Sequence, residues 1–283
     1  MVRKIFVDSR FRDSGSFANF QYSLKSPVTH PKCRAYIDQL HIPNVFPTIH
    51  ANNRNLYIEE SYSNDGVLFH VRYRKVPLSV GNYDLDSLAT ELQLQLNANT
   101  FFPDNQYVVT TNDSLGKLTI GITGSGQHAE VNIWSMQYLK NHRDLWVDPT
   151  SNQVGTFVED DDCYAVIGFT EDGIMTASHS FSLQGNAHIS SLPFHTVYLT
   201  CSYGLGTNED AIGPRGGNSI LRSIVVNTSF GNMIHDMLQN PFDYTTLEAG
   251  QLTTFGFALR DIYGRDLPLN QSFSFSIMLV EEE

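Results

Sequence analysis

Ser272-Phe273-Ser274-Phe275-Ser276-Ile277 alternates serine with a large apolar residue. Successive side chains of a strand point to opposite faces, so Phe273, Phe275 and Ile277 share one side of a sheet and the serines the other. The serine side faces solvent or a neighbouring subunit. Outward from here most of the chain reads as short strands between turn signals. Phe20-Gln21-Tyr22-Ser23-Leu24 alternates in the same way, bracketed by Asn19 and Pro27. Ala35 to Ile42 is a second strand, stopped by Pro43, with Pro47 turning the chain. Asn55 to Glu59, Val67 to Tyr73, Tyr107 to Thr111, Leu118 to Ile122, Val197 to Cys201, Ile220 to Val226 and Thr253 to Leu259 follow. Asn112-Asp113-Ser114-Leu115-Gly116 supplies a hairpin connection. The apolar run Tyr164 to Phe169 is short, like a buried strand. Arg260-Asp261 followed by Gly264 marks a strand end and a turn.

One segment breaks this pattern. Leu85, Leu88, Ala89, Leu92 and Leu96 recur at helical spacing, and Asp84 stands at the N-cap. One or two further helical turns fit Ser135 to Asn141. Strand-rich ends around a helix-bearing middle point to an insertion: residues 1–74 and 185–283 form a sheet sandwich and 75–184 an inserted domain. One continuous large β domain is the competing arrangement.

The 283 residues carry 18 Lys and Arg against 30 Asp and Glu, a net charge of −12, which argues against a general role in coating nucleic acid. Aromatic residues make up 12% and charged ones only 17%, the reverse of a disordered chain. No apolar run approaches the roughly 18 residues a membrane helix needs. The N-terminus turns acidic at Asp8 before a signal-peptide core develops, so a soluble chain without membrane insertion is expected. Cys33, Cys163 and Cys201 lie far apart, and buried reduced thiols are expected.

Searches for chemistry return little. Gly-x-Ser-x-Gly and Gly-Lys-Ser/Thr are absent, and the glycine-rich stretch Gly204 to Gly217 reads as a surface loop. Ser114-Leu115-Gly116-Lys117 spells Ser-x-x-Lys, but in a tight turn where the lysine cannot sit one helical turn from the serine. Among ten histidines, His41 and His70 fall in strands and His179, His188 and His195 in loops, with no sign of convergent ligands. Glu159-Asp160-Asp161-Asp162 lacks the alternating spacing and glycine of a calcium loop, so a solvated loop is expected. Asn112, Asn227 and Asn270 open glycosylation triplets that carry little weight without a secretory signal. The chain is read as a non-enzyme, with no catalytic, cofactor-binding or metal-ligating residues and no cofactor assigned.

Two features bear on partners. Arg3, Lys4, Arg10 and Arg12 make a basic start, opposed by Glu281-Glu282-Glu283 at the end. They form ordinary terminal charge or an arm that contacts an acidic partner or packaged nucleic acid. Trp134 and Trp146 belong to the core or, if exposed, to a sugar-stacking surface.

Several stretches together carry a family resemblance. They are Val7 to Ser14, Phe20 to Leu24, Tyr36 to Phe46 with the Asn52-Asn53 turn, and Val76 to Tyr83 ahead of the leucine helix. Phe257 to Arg265 and Ser272 to Ile277 complete the set. Their order resembles the penton, or vertex minor capsid, proteins of virophages and polinton-like DNA viruses, over most of the chain apart from about Ser125 to Asp160. The resemblance implies a mainly all-β fold, a single jelly-roll sandwich with an inserted, helix-containing outer domain. It implies a homopentamer at the fivefold vertices of an icosahedral virion, assembled inside the host cell. Its partners would be the double jelly-roll major capsid protein and other minor capsid proteins, and a host receptor if the outer domain binds one. It offers no catalytic residues. The alternative is a β-sandwich receptor- or glycan-binding surface protein.

Overall fold

The computed structural model describes residues 2–281 apart from 66, 99, 101, 103, 104, 125–127, 171, 172, 179, 180, 191–193, 206–219, 239, 241 and 242. His179, most of the glycine-rich stretch and the last two glutamates lie outside the described residues. The chain divides into two units, Met1–Phe46 with Phe194–Glu283, and Pro47–Pro193.

The first unit begins with β1 (Val2–Asp8), β2 (Ser14–Gly15), β3 (Asn19–His30) and β4 (Cys33–Pro43). The chain then builds the second unit from β5 (Asn55–Ser63), β6 (His70–Pro77), α1 (Leu85–Asn97), β7 (Asn105–Asn112) and β8 (Lys117–Gly124). It continues with β9 (His128–Trp134), α2 (Met136–Asn141), β10 (Ile174–Ser178) and β11 (Leu183–Gln184). It returns to the first unit as β12 (Thr196–Tyr203), β13 (Ile220–Val225), β14 (Met233–Met237), β15 (Thr245–Leu247), β16 (Gly250–Arg260) and β17 (Ser274–Glu281).

Two antiparallel sheets make the first unit. One runs β1-β17-β4-β14, with β15 also on β4; the other runs β13-β12-β16-β3-β2. First and last strands are neighbours in one sheet, and the second and next-to-last long strands pair in the other. That nesting of two Greek keys is a jelly roll. The second unit is inserted between the third and fourth long strands of the roll. Phe20 and Phe257 from one sheet meet Phe273, at its end, and Phe275 from the other, with ring centroids 4.9–5.8 Å apart. Phe273, Phe275 and Ile277 are buried as the alternation predicts.

The second unit holds the sheets β10-β9-β5-β6 and β11-β8-β7. Leu88, Ala89, Leu92 and Leu96 of α1 share one core with Leu56, Ile58, Ile120 and Val131, while Leu85 packs half-buried at its edge. Asp84 caps the helix by accepting from Ser87 N at 2.9 Å, and Ser87 Oγ accepts from Asp84 N at 3.0 Å. The hairpin closes at Asn112↔Lys117, with Gly116 at φ +58 where a side chain would be strained.

The observed boundaries differ from the expected 74/75 and 184/185. Asn55–Ser63 pairs on one edge with β6 and on the other with β9, so both early strands belong to the second unit. Four local expectations also change. Asn19–His30 runs through Pro27, which lies where the β3–β16 register jumps from Val28 to Ser23, and no ladder donor is required there. Tyr164 to Phe169 is a buried turn: Ile167 N bonds Cys163 O and Phe169 N bonds Tyr164 O, with Gly168 at φ +89. Val67, Leu68 and Phe69 form an exposed hairpin tip, and the strand starts at His70. The first dozen residues, read as an arm or plain terminal charge, contain the strand β1, paired along its length with β17.

Candidate functional site

The register defines the outward face of the β1-β17-β4-β14 sheet row by row. Val2, Val280 and Arg34 make one row, and Lys4, Met278 and Tyr36 the next. Phe6, Ser276, Gln39 and Met237 follow, then Asp8, Ser274, His41 and His235. The rows shift at Asp38, where a bulge between Ser276 and Ile277 gives β4 an extra residue. Asp38 turns this bulge into a polar clasp, accepting from Lys4 Nζ and, at 3.4 Å, from Ser276 Oγ.

This face is rich in apolar side chains that meet water. Phe6 is 69% exposed, Phe11 just beyond β1 is 71% and Met237 is 60%. Beside Phe6 and Phe11 lies a groove of about 430 Å³, lined also by Tyr22, His41, Ser274 and Ser276. Exposed aromatic and Met side chains around polar groups are the composition of a contact surface. Of the serine side of the last strand, Ser274 and Ser276 line this groove, and Ser276 lies at its floor, 1% exposed.

The basic start does not project as an arm. Lys4 pairs with Asp38. Arg10 grips Asp8 through Nε at 3.0 Å and Nη2 at 2.6 Å, and this contact holds the Asp8 carboxyl below the usual carboxylate range. Arg12 donates to Ser9 O and Gly15 O and lies over the Phe17 ring. These cations brace the first turn of the roll.

Trp134 and Trp146 are 2% and 0% exposed and pack with Tyr57, Met136 and Leu139. A sugar cannot reach them, which removes the sequence basis for a glycan-stacking surface. The acidic run is also not a solvated loop. Asp161 is buried, accepting from Tyr57 OH at 2.8 Å, Asn55 Nδ2 at 2.6 Å and Lys75 Nζ at 3.0 Å. Lys140 takes Asp160 and Arg143 takes Glu159. Burial pushes Asp162 up to about 6, despite the bond from Tyr164 N. The run pegs its loop to the start of β5.

Ser114 bonds Asn112, while Lys117 reaches Asn186 O, so the pair forms no catalytic couple. Cys33, Cys163 and Cys201 are all buried, and burial pushes Cys163 and Cys201 up. His70 stacks on Tyr62, and His195 is exposed. Two polar clusters escaped the sequence reading. Glu60 and Arg74 pair at 2.6 Å inside the second unit, joined by Tyr107 OH and by the carbonyls of Gln95 and Leu96 at the C-terminal end of α1. Arg222 of β13 reaches Asp236 of β14 and Asp243, joining the two sheets of the roll. The partners in each cluster are separated by 14 residues or more, and neither has a local signature.

The topology thus defines a class, the single jelly roll interrupted between its third and fourth long strands by a second β unit. No family model and no curated protein matches the sequence. Among solved structures, the chain is similar in fold to the mavirus penton protein: the similarity covers 99% of this chain and 98% of that one, with a TM-score of 0.55 at 13% identity.

Proposed function

We propose that this chain is a structural capsid protein, a penton that forms homopentamers at the fivefold vertices of an icosahedral virion. The observation that carries the reading is the end-to-end correspondence of both units with the mavirus penton protein. A domain similarity confined to the roll would carry far less, because jelly rolls host many functions. The exposed aromatic face supports it further, since ring closure requires two complementary patches on one subunit. The work is done by shape and contact area, without bond chemistry. The major capsid protein and other minor capsid proteins are its neighbours in the shell, and the inserted unit is available for a host receptor.

Mass photometry and light scattering of the full chain, with mass spectrometry of virions, test the proposal. A particle of about five times the 31.8 kDa chain, or a vertex-level copy number in virions, is expected. A strict monomer absent from particles overturns it.

A further inference from the structure

His41 and His235 lie far apart in sequence and directly opposite one another on β4 and β14. Their position on the ladder is informative. Asn44 N bonds Asn232 O, and Leu238 N bonds Asp38 O. Antiparallel pairs alternate between hydrogen-bonded and non-hydrogen-bonded, so counting inward from either bond makes 41/235 a non-hydrogen-bonded pair, where side chains stand closest. Both rings are on the open face of the sheet, with centroids 4.9 Å apart and planes crossed at 73°. Nδ1 lies 2.8 Å from Nδ1. At that distance only one of the two nitrogens holds the proton, and its partner offers a lone pair.

We propose that His41 and His235 form a surface chelate for a divalent transition-metal ion. Two imidazole nitrogens bound at about 2.0–2.1 Å and at right angles to one another are about 2.8–3.0 Å apart, so the spacing already matches, and turning the rings out of the hydrogen bond brings both lone pairs onto one ion. Imidazole suits Cu²⁺, Ni²⁺ and Zn²⁺, and a right angle between ligands suits tetragonal Cu²⁺ best. Displacing the shared proton lets both nitrogens ligate. Water fills the remaining positions, because Ser274, the next side chain along the row, is a poor ligand. The row ends at Asp8, an acid on the same face. The site stands on this chain's own residues and does not depend on the assembly reading.

The probe is Cu²⁺ added to the full chain near neutral pH, followed by calorimetry and electron paramagnetic resonance. One ion per chain is expected, with the splitting of two equatorial nitrogens and a rise in Tm. Either His41→Ala or His235→Ala is expected to weaken binding at least about tenfold and abolish the Tm rise. His195→Ala, at an exposed loop histidine, leaves both unchanged. His235 is on an exposed edge strand, so its variant carries the test should His41→Ala disturb folding. Absence of binding tighter than about millimolar overturns the site, as does equal affinity in wild type and His235→Ala.

Discussion

Asp162 shows how one carboxylate can oppose the fold that holds it. Burial raises it to about 6, so the folded chain keeps this proton where the unfolded chain, at 3.8, has lost it. A group raised on folding favours the folded state fully below its unfolded value and loses that contribution as pH climbs through its folded value. Stability from this site therefore falls between about pH 4 and 6. Asp162→Asn retains an oxygen for Tyr164 N and carries no charge. Thermal melts should show the variant with a higher Tm than wild type above about pH 7 and a shallower decline from pH 4 to 6. Matching slopes for the two proteins would be the contrary result. The neighbouring Asp161 is held by three donors, and one sequence run thus contains both a peg and a liability. The letters Asp-Asp-Asp do not distinguish them, because the difference lies in Tyr57, Asn55 and Lys75, about a hundred residues away.

Elements were legible where their signal was local. The leucine stripe of α1 and its cap need only a dozen contiguous residues, and both lie where the spacing places them. Asp84→Ala leaves Ser87 N without its acceptor on an exposed helix start. A lower unfolding midpoint is expected in denaturant melts, with Asp84→Ser recovering most of the loss. A variant indistinguishable from wild type would mean that tertiary packing alone holds the helix. The strand β1 was hidden by the charges of Arg3 and Lys4, although Ile5 and Val7 are buried. Tyr164 to Phe169 failed for the opposite reason, since a short apolar run without a period fits a buried turn as well as a strand.

At the scale of the molecule, the proposed ring predicts that the outward face of β1-β17-β4-β14, with its exposed Phe6, Phe11 and Met237, meets a neighbouring copy. Phe6 and Phe11 are more than two-thirds exposed, so replacing them removes little from the folded monomer. Phe6→Ser with Phe11→Ser should leave Tm within about 2 °C of wild type and weaken subunit association by about tenfold or more in concentration-dependent mass photometry. Unchanged association would move the interface to another face. The two-part plan was visible in the order of strands and helix. Its boundaries were not, because β5 joins the second unit through pairing with β9, which begins 65 residues after β5 ends.

The sequence by itself determined the mainly strand character, the aromatic side of β17 and the helix α1, because periodicity and capping act over neighbouring residues. Tertiary structure alone decided the unit boundaries, the burial of Trp134 and Trp146, the pegging of the acidic run and the meeting of His41 with His235. Each of those depends on which distant strands become partners, and hydrogen-bond pairing between strands leaves no mark in the local order of residues.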